Sequence, residues 1–272
     1  MKKLYSSALC LILSAASLPG YSQARVVLDS YFNDEHTKDA SGKLVSTHYK
    51  WEETDNGGFS IFGDAFKKAG AQLNTLYDEP TVENLKQADI YIIVDPDTKK
   101  ESPKPKYIEP KDVKVISEWV KQGGVLLMMA NDSANVELKH FNTLASKFGI
   151  RFNDDLINHV LDDKHFLNGT FLIIDNPILK TARKIYMKDI CSLTLTEPAE
   201  TMLKDGNANI IAVARYGKGT VLAVGDPWLY NEYTNGRLPK DYDNDKAAND
   251  VAKWLIKESE SRKSPEVRKP GN

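Results

Sequence analysis

The chain has 272 residues, with 36 Lys plus Arg against 38 Asp plus Glu, 41% apolar and 27% charged. That apolar share can build a core, which excludes wholesale disorder, and a formal charge of −2 supplies no basic stripe for nucleic acid. The long apolar run lies at the extreme N-terminus, which excludes a polytopic membrane protein, and two cysteines make no disulfide framework.

That first run reads as an export signal. Lys2 and Lys3 precede an apolar stretch from Leu4 to Leu18, Pro19 and Gly20 break it, and Ser22-Gln23-Ala24 offers small residues for cleavage after Ala24. The expected organisation is a signal peptide at 1–24, one α/β domain at 25–257 and a disordered tail at 258–272, in the periplasm or secreted, with no membrane insertion after cleavage. The mature chain then holds 34 basic and 38 acidic side chains and one cysteine, Cys191, in an apolar-alternating run that favours burial.

The rest alternates strand and helix patterns. Arg25 to Tyr31 is β-branched, and Phe59 to Ala69 has helical spacing and stops at Gly70. Ala71 to Tyr77 reads as a strand, and Thr81 is an N-cap for a short helix to Gln87. Asp89 to Val94 and Val125 to Ala130 are near-continuous apolar runs, the mark of strands covered on both faces. Pro110 to Gln122 and Val136 to Phe148 carry helical stripes. Thr170 to Ile174 and Ile185 to Thr196 read as an antiparallel extension. Asn209 to Asp226 reads as two strands around Tyr216-Gly-Lys-Gly219, and Asp245 to Lys257 as a closing helix. The pattern predicts a parallel sheet with helices on both faces.

The stretch YGKGTVLAVGDPWLYNEY, followed by DNDKAANDVAKWL, with VVLDSYFNDE and HYKWEETDNGGFS before it, resembles the glutamine amidotransferase-like domains of secreted Bacteroidetes-type proteins. The resemblance implies a flavodoxin-like, class I glutamine amidotransferase-like fold. It also implies a setting beside unsaturated rhamnogalacturonyl hydrolases, enzymes of pectin breakdown. The turn that should carry a cysteine nucleophile reads Asn131-Asp132-Ser133, and the late strand ends in Gly225-Asp226-Pro227-Trp228 without histidine. Glutamine hydrolysis is therefore not expected, and Ser133 has no base near it in sequence.

Ligands of open parallel sheets sit beyond the strands' carboxyl ends. The residues expected there to bind a ligand are Asp29, Tyr31, His48, Trp51, Asp95, Asn131, Asp226, Trp228, Asn231 and Glu232, a mixture of rings, amides and carboxylates that suits sugars. Asp55-Asn-Gly-Gly58 offers backbone N–H groups to an anion or is simply a turn. Asp241, Asp243 and Asp245 alternate as in a calcium loop but lack its glycine and terminal Glu, so neither a metal nor a cofactor is expected. The leading expectation is an accessory domain of a polysaccharide-degrading system that binds an oligosaccharide or a glycan-degrading enzyme. The alternatives are a glycoside-acting hydrolase using Asp29, Asp226 or Glu232, and an assembly protein. The sugar reading requires Asp29, Trp51, Asp226 and Trp228 to share one open rim.

Overall fold

Local sequence decides most of the elements seen in the computed structural model, which describes residues 23–162 and 164–263. β1 (Arg25–Asp29) leads to a hairpin of β2 (His36–Lys38) and β3 (Leu44–Ser46), then α1 (Ser60–Lys68), β4 (Gln72–Leu76), α2 (Val82–Leu85) and β5 (Ile90–Val94). α3 (Pro110–Lys121), β6 (Val125–Met129) and α4 (Leu138–Ala145) follow. The less regular middle holds β7 (Ile150–Phe152), β8 (Thr170–Leu172), β9 (Lys184–Tyr186) and β10 (Leu193–Leu195). β11 (Ala199–Asp205), β12 (Ala208–Tyr216), β13 (Gly219–Val224), α5 (Asn231–Thr234) and α6 (Asn244–Lys263) close the chain. Thr81 caps α2 by accepting the Asn84 N–H at 3.2 Å, and Pro110 opens α3, where its missing N–H costs nothing.

Among the described residues the main sheet runs β4-β1-β5-β6-β13-β12-β10-β7, with β11 also paired to β12. The first five strands are parallel and the remainder antiparallel. The architecture is thus mixed α/β, a mostly parallel sheet flanked by helices. Alternation along each strand feeds two cores. Val26, Leu28, Ile92 and Leu127 face α1 and α6, while Val27, Tyr91, Ile93 and Leu126 face α3 and α4. Each such side chain contributes about 1.5–3 kcal/mol when buried, so the central strands tolerate little polarity.

Two expectations are corrected here, the extent of the closing helix and the run from Ile185 to Thr196. The closing helix continues past residue 257 to Lys263. Its apolar stripe extends through Leu255 and Ile256 to the buried Ser259, and Glu258 pairs with Arg215 and accepts from Thr220. At the other end Ala24, the residue expected to precede the cleavage point, is buried, and its carbonyl accepts the Gln72 N–H at 2.8 Å. The run Ile185 to Thr196 is two short strands, because Asp189 adopts a left-handed backbone (φ 51°) between them. Residues 1–22 of the expected signal and 264–272 of the expected tail lie outside the described residues.

The parallel and irregular parts meet at Gly225, whose carbonyl accepts the Cys191 N–H at 2.9 Å. A Cβ there would stand 1.9 Å from the Cys191 carbonyl oxygen, which no rotamer relieves. Gly225→Ala is therefore expected to destabilise the fold by about 3 kcal/mol or more, read from urea unfolding. An unchanged midpoint would contradict this contact.

Candidate functional site

In the parallel strands the chain first steps outward from β1 to β4, then crosses back to β5 on the other side. The carboxyl ends of β1 and β5 therefore part at a topological switch point, where open α/β sheets place ligands. A cleft of about 320 Å³ opens there. Its floor is Asp95, directly after β5, a non-glycine residue held at φ 38° and 4% exposed. The Tyr49 hydroxyl donates to its Oδ2 at 2.7 Å and the Asn131 N–H to its Oδ1 at 2.7 Å. One carboxylate thus joins the loop after β1, the end of β5 and the end of β6. His48 and Tyr49 are also left-handed, at φ 59° and 56°, and Tyr49 meets Tyr230 edge to face at 5.9 Å. Such strained backbone persists only where its surroundings over-determine it.

Carboxylates dominate the lining. Glu35 binds His48 at 2.9 Å, Asp189 lies 3.5 Å from Lys188 and 2.7 Å from His159, and Glu232 pairs with Arg237. Glu101 accepts the backbone N–H and the hydroxyl of Thr98 at 2.8 and 2.7 Å. Burial is the main force raising the Asp95 carboxyl to about 7, and repulsion from Glu101 adds to it. Burial likewise lifts Asp29 to about 6, Asp97 to about 7 and Asp226 well above the carboxylate range. It lowers the ammonium of Lys50, which donates to the carbonyl and side chain of Asn33.

The ten expected ligand residues divide. His48, Asp95, Asn131 and Glu232 line the cleft. The four that the sugar reading requires at one rim, Asp29, Trp51, Asp226 and Trp228, are sealed inside at 1%, 6%, 2% and 1% exposure. That expectation is corrected, and each residue has a structural task. Asp29 accepts the Tyr91 hydroxyl at 2.5 Å and the Phe32 N–H at 2.7 Å, which turns the chain after β1. Trp51 donates to the Asn74 carbonyl on edge strand β4 at 3.1 Å while packing on Phe59 and Phe62. Asp226 accepts the Lys188 N–H at 3.0 Å, and Trp228 fills the core beside α6. Tyr31 does not line the cleft: it packs on Phe32, with Lys106 4.7 Å above its ring. Asn231 is buried as a staple, accepting the Ile61 N–H and donating to the Glu53 and Asp55 carbonyls and to Ser60.

Of the catalytic candidates, Asp29 and Asp226 are therefore internal, and Glu232 alone reaches the cleft. In the Asp55–Gly58 stretch the Gly58 N–H is engaged by Asp55, so it forms a turn. Asp241 and Asp243 pair with Lys184 and Lys246, and among the described residues no group of three acidic, His or Cys side chains could hold a metal. Sequence reading passed over Glu35, Glu101, Asn135, Lys188 and Asp189. Glu101 lies in the lysine- and proline-rich stretch KKESPKPK, which has no strand or helix pattern, and Lys188-Asp189 lie inside an expected strand.

No protein-family model matches the sequence, and no curated protein matches it. Several solved structures share the fold. The chain is similar to the mmIFT52 N-terminal domain (TM-score 0.62, 18% identity, 85% of this chain and 97% of that one). It is also similar to a cytoplasmic protein from Salmonella typhimurium LT2 (0.54, 14%, 86% and 98%). Part of the β-galactosidase from Rahnella sp. R3 is similar too (0.50, 14%, 84% of this chain and 30% of that one). At these identities the likeness is one of fold. These neighbours overturn the resemblance to glutamine amidotransferase-like domains. The motifs behind it are explained by architecture: Gly217 and Gly219 flank the β12–β13 turn, Trp228 packs the core and Asn231 staples two loops. Cys191 offers no replacement nucleophile, because it is buried, its thiol is pushed up by burial, and it faces the Ala130 carbonyl at 3.4 Å.

Two outcomes follow from this geometry. Asn231→Ala leaves the Ile61 N–H without its acceptor and removes the two amide N–H donors shared among Glu53, Asp55 and Ser60, so a loss of about 2–4 kcal/mol is expected in urea unfolding. Asp29, Asp95 and Asp97 have folded pKa values above the unfolded one, so the folded state binds more protons between about pH 4 and 7. Stability then falls as pH rises through that window, by on the order of 4 kcal/mol for Asp95 alone. Melting curves of wild type and Asp95→Asn should show the shallower slope in the variant; equal slopes would contradict the assignment.

Proposed function

We propose that this chain is an exported binding domain whose cleft takes the end of a hydroxyl-rich ligand, an oligosaccharide. The sugar reading built on Asp29, Trp51, Asp226 and Trp228 fails, because those residues are internal; this one is carried by a different set, the convergence of His48, Asp95, Asn131 and Glu232, from four separate segments, on one polar cleft at the switch point. Carboxylates and amides supply paired acceptors and donors for sugar hydroxyls, and Tyr49 and Tyr230 supply apolar ring surface. Export is supported by the basic and apolar order of Lys2 to Leu18. A flavodoxin-like class for the sheet is supported by the order of its parallel strands, 2-1-3-4-5 in sequence order, although four antiparallel strands extend it.

One observation favours a second reading, a glycoside-acting hydrolase. Asp95 is a sheltered carboxyl raised to about 7, the profile of a general acid, with Glu101 and Glu232 on the same cleft as partners. The accessory role beside pectin enzymes rested on the overturned resemblance and is not part of the proposal.

Calorimetry against a broad glycan panel tests the binding reading. A hit is expected, and Asn135→Ala, an exposed change at the cleft edge, should weaken it about fivefold, the worth of one neutral hydrogen bond. No heat across the panel would remove the reading. Product release from a hit, abolished in Asp95→Asn, would replace it with the hydrolase.

A further inference from the structure

We propose that the cleft selects an oligosaccharide bearing a free ammonium group, an amino sugar, over neutral and uronic-acid sugars; this rests on the binding reading above. The argument starts from the ion pairs. Three of the five lining carboxylates already hold a cation: Glu35 has His48, Asp189 has Lys188, and Glu232 has Arg237. The cations facing the cleft are thereby occupied. An incoming carboxylate group would have to break one of these pairs.

The other two lining carboxylates, Asp95 and Glu101, form no ion pair within 4 Å among the described residues, and they feel each other's charge. Behind them Asp97, 1% exposed, sits in the field of Glu35 and Glu101, and its Oδ1 accepts no hydrogen bond among the described residues. The charge of Lys50 offsets part of this, but its hydrogen bonds go to Asn33, and His48, whose charge acts on Asp95, is bonded to Glu35. The wall between β5 and α3 therefore holds three carboxyls, two of them only partly ionised near neutral pH, with no cation bonded to them among the described residues. An ammonium group is the complement this wall lacks. Tyr49 and Tyr230, edge to face beside Asp95, add a ring surface that attracts a cation and also accepts a sugar's C–H face. A sugar ring bearing an ammonium uses both features at once.

The experiment is calorimetry on the full chain with a glucosamine oligomer, its N-acetylated counterpart of equal length, an oligogalacturonate and spermidine. The glucosamine oligomer should bind about tenfold tighter than the acetylated one, and added salt should shrink that gap. The oligogalacturonate should bind weakest. Glu101→Gln should erase most of the gap while the melting temperature holds, because Glu101 bonds only its own loop. Equal or better binding of the acetylated oligomer overturns the charge selectivity and leaves the binding reading standing. Tightest binding of the oligogalacturonate, or an unchanged gap in Glu101→Gln, does the same. Spermidine as tight as the glucosamine oligomer overturns the sugar part. Silence from all four, with a hit elsewhere on the panel, also overturns this selectivity alone.

Discussion

The hydrogen bonds received by the Asp95 carboxylate organise the upper end of this molecule. Tyr49 comes from the long loop after β1 and Asn131 from the end of β6, and neither has a sequence reason to find the other. Asp95 gives both an acceptor, and its Pro96 neighbour and left-handed backbone aim it there. Burying that carboxyl is unfavourable for its charged form, so the site is held at a cost that packing elsewhere must offset. The two-core sheet provides that offset, since its central strands are almost wholly inaccessible to water.

The layout of strands was legible in the sequence because apolar runs and helical stripes report burial directly. Ile90–Val94 and Val125–Met129 fall where continuous apolar runs predict them, and Thr81 caps the helix it was expected to cap. The short β8 falls within the expected Thr170 to Ile174 run, but other short strands were not legible. β2, β3 and β7 have three residues each, too few for a period to emerge. The extension of α6 was hidden by charge: Glu258, Glu260, Arg262 and Lys263 resemble a solvated tail, and only the spacing of Ile256 and Ser259 betrays a continuing buried stripe.

The cleft was only half legible, for a physical reason. Strand ends can be listed from sequence, but the direction of a side chain beyond a strand depends on the turn it enters. Asp29 and Asp226 turn inward to satisfy backbone N–H groups, whereas Asp95 keeps contact with solvent through the cleft. Large rings mislead in the same way. Trp51 and Trp228 offer so much area that the fold takes them for its interior, while the smaller Tyr230 stays half-buried at the mouth. Residues that do reach the cleft, such as Glu101 and Asp189, sit where loop composition gave no signal at all.

The clasp between Glu258 on α6 and Arg215 and Thr220 of the β12–β13 hairpin decides where this polypeptide tolerates shortening. Ending the chain at Lys257, where charge composition first invites a boundary, would leave the hairpin's arginine facing open solvent. It would also remove the buried Ser259 and an anchor of α6. A fusion partner or affinity handle therefore belongs beyond Lys263, where it leaves the clasp fastened.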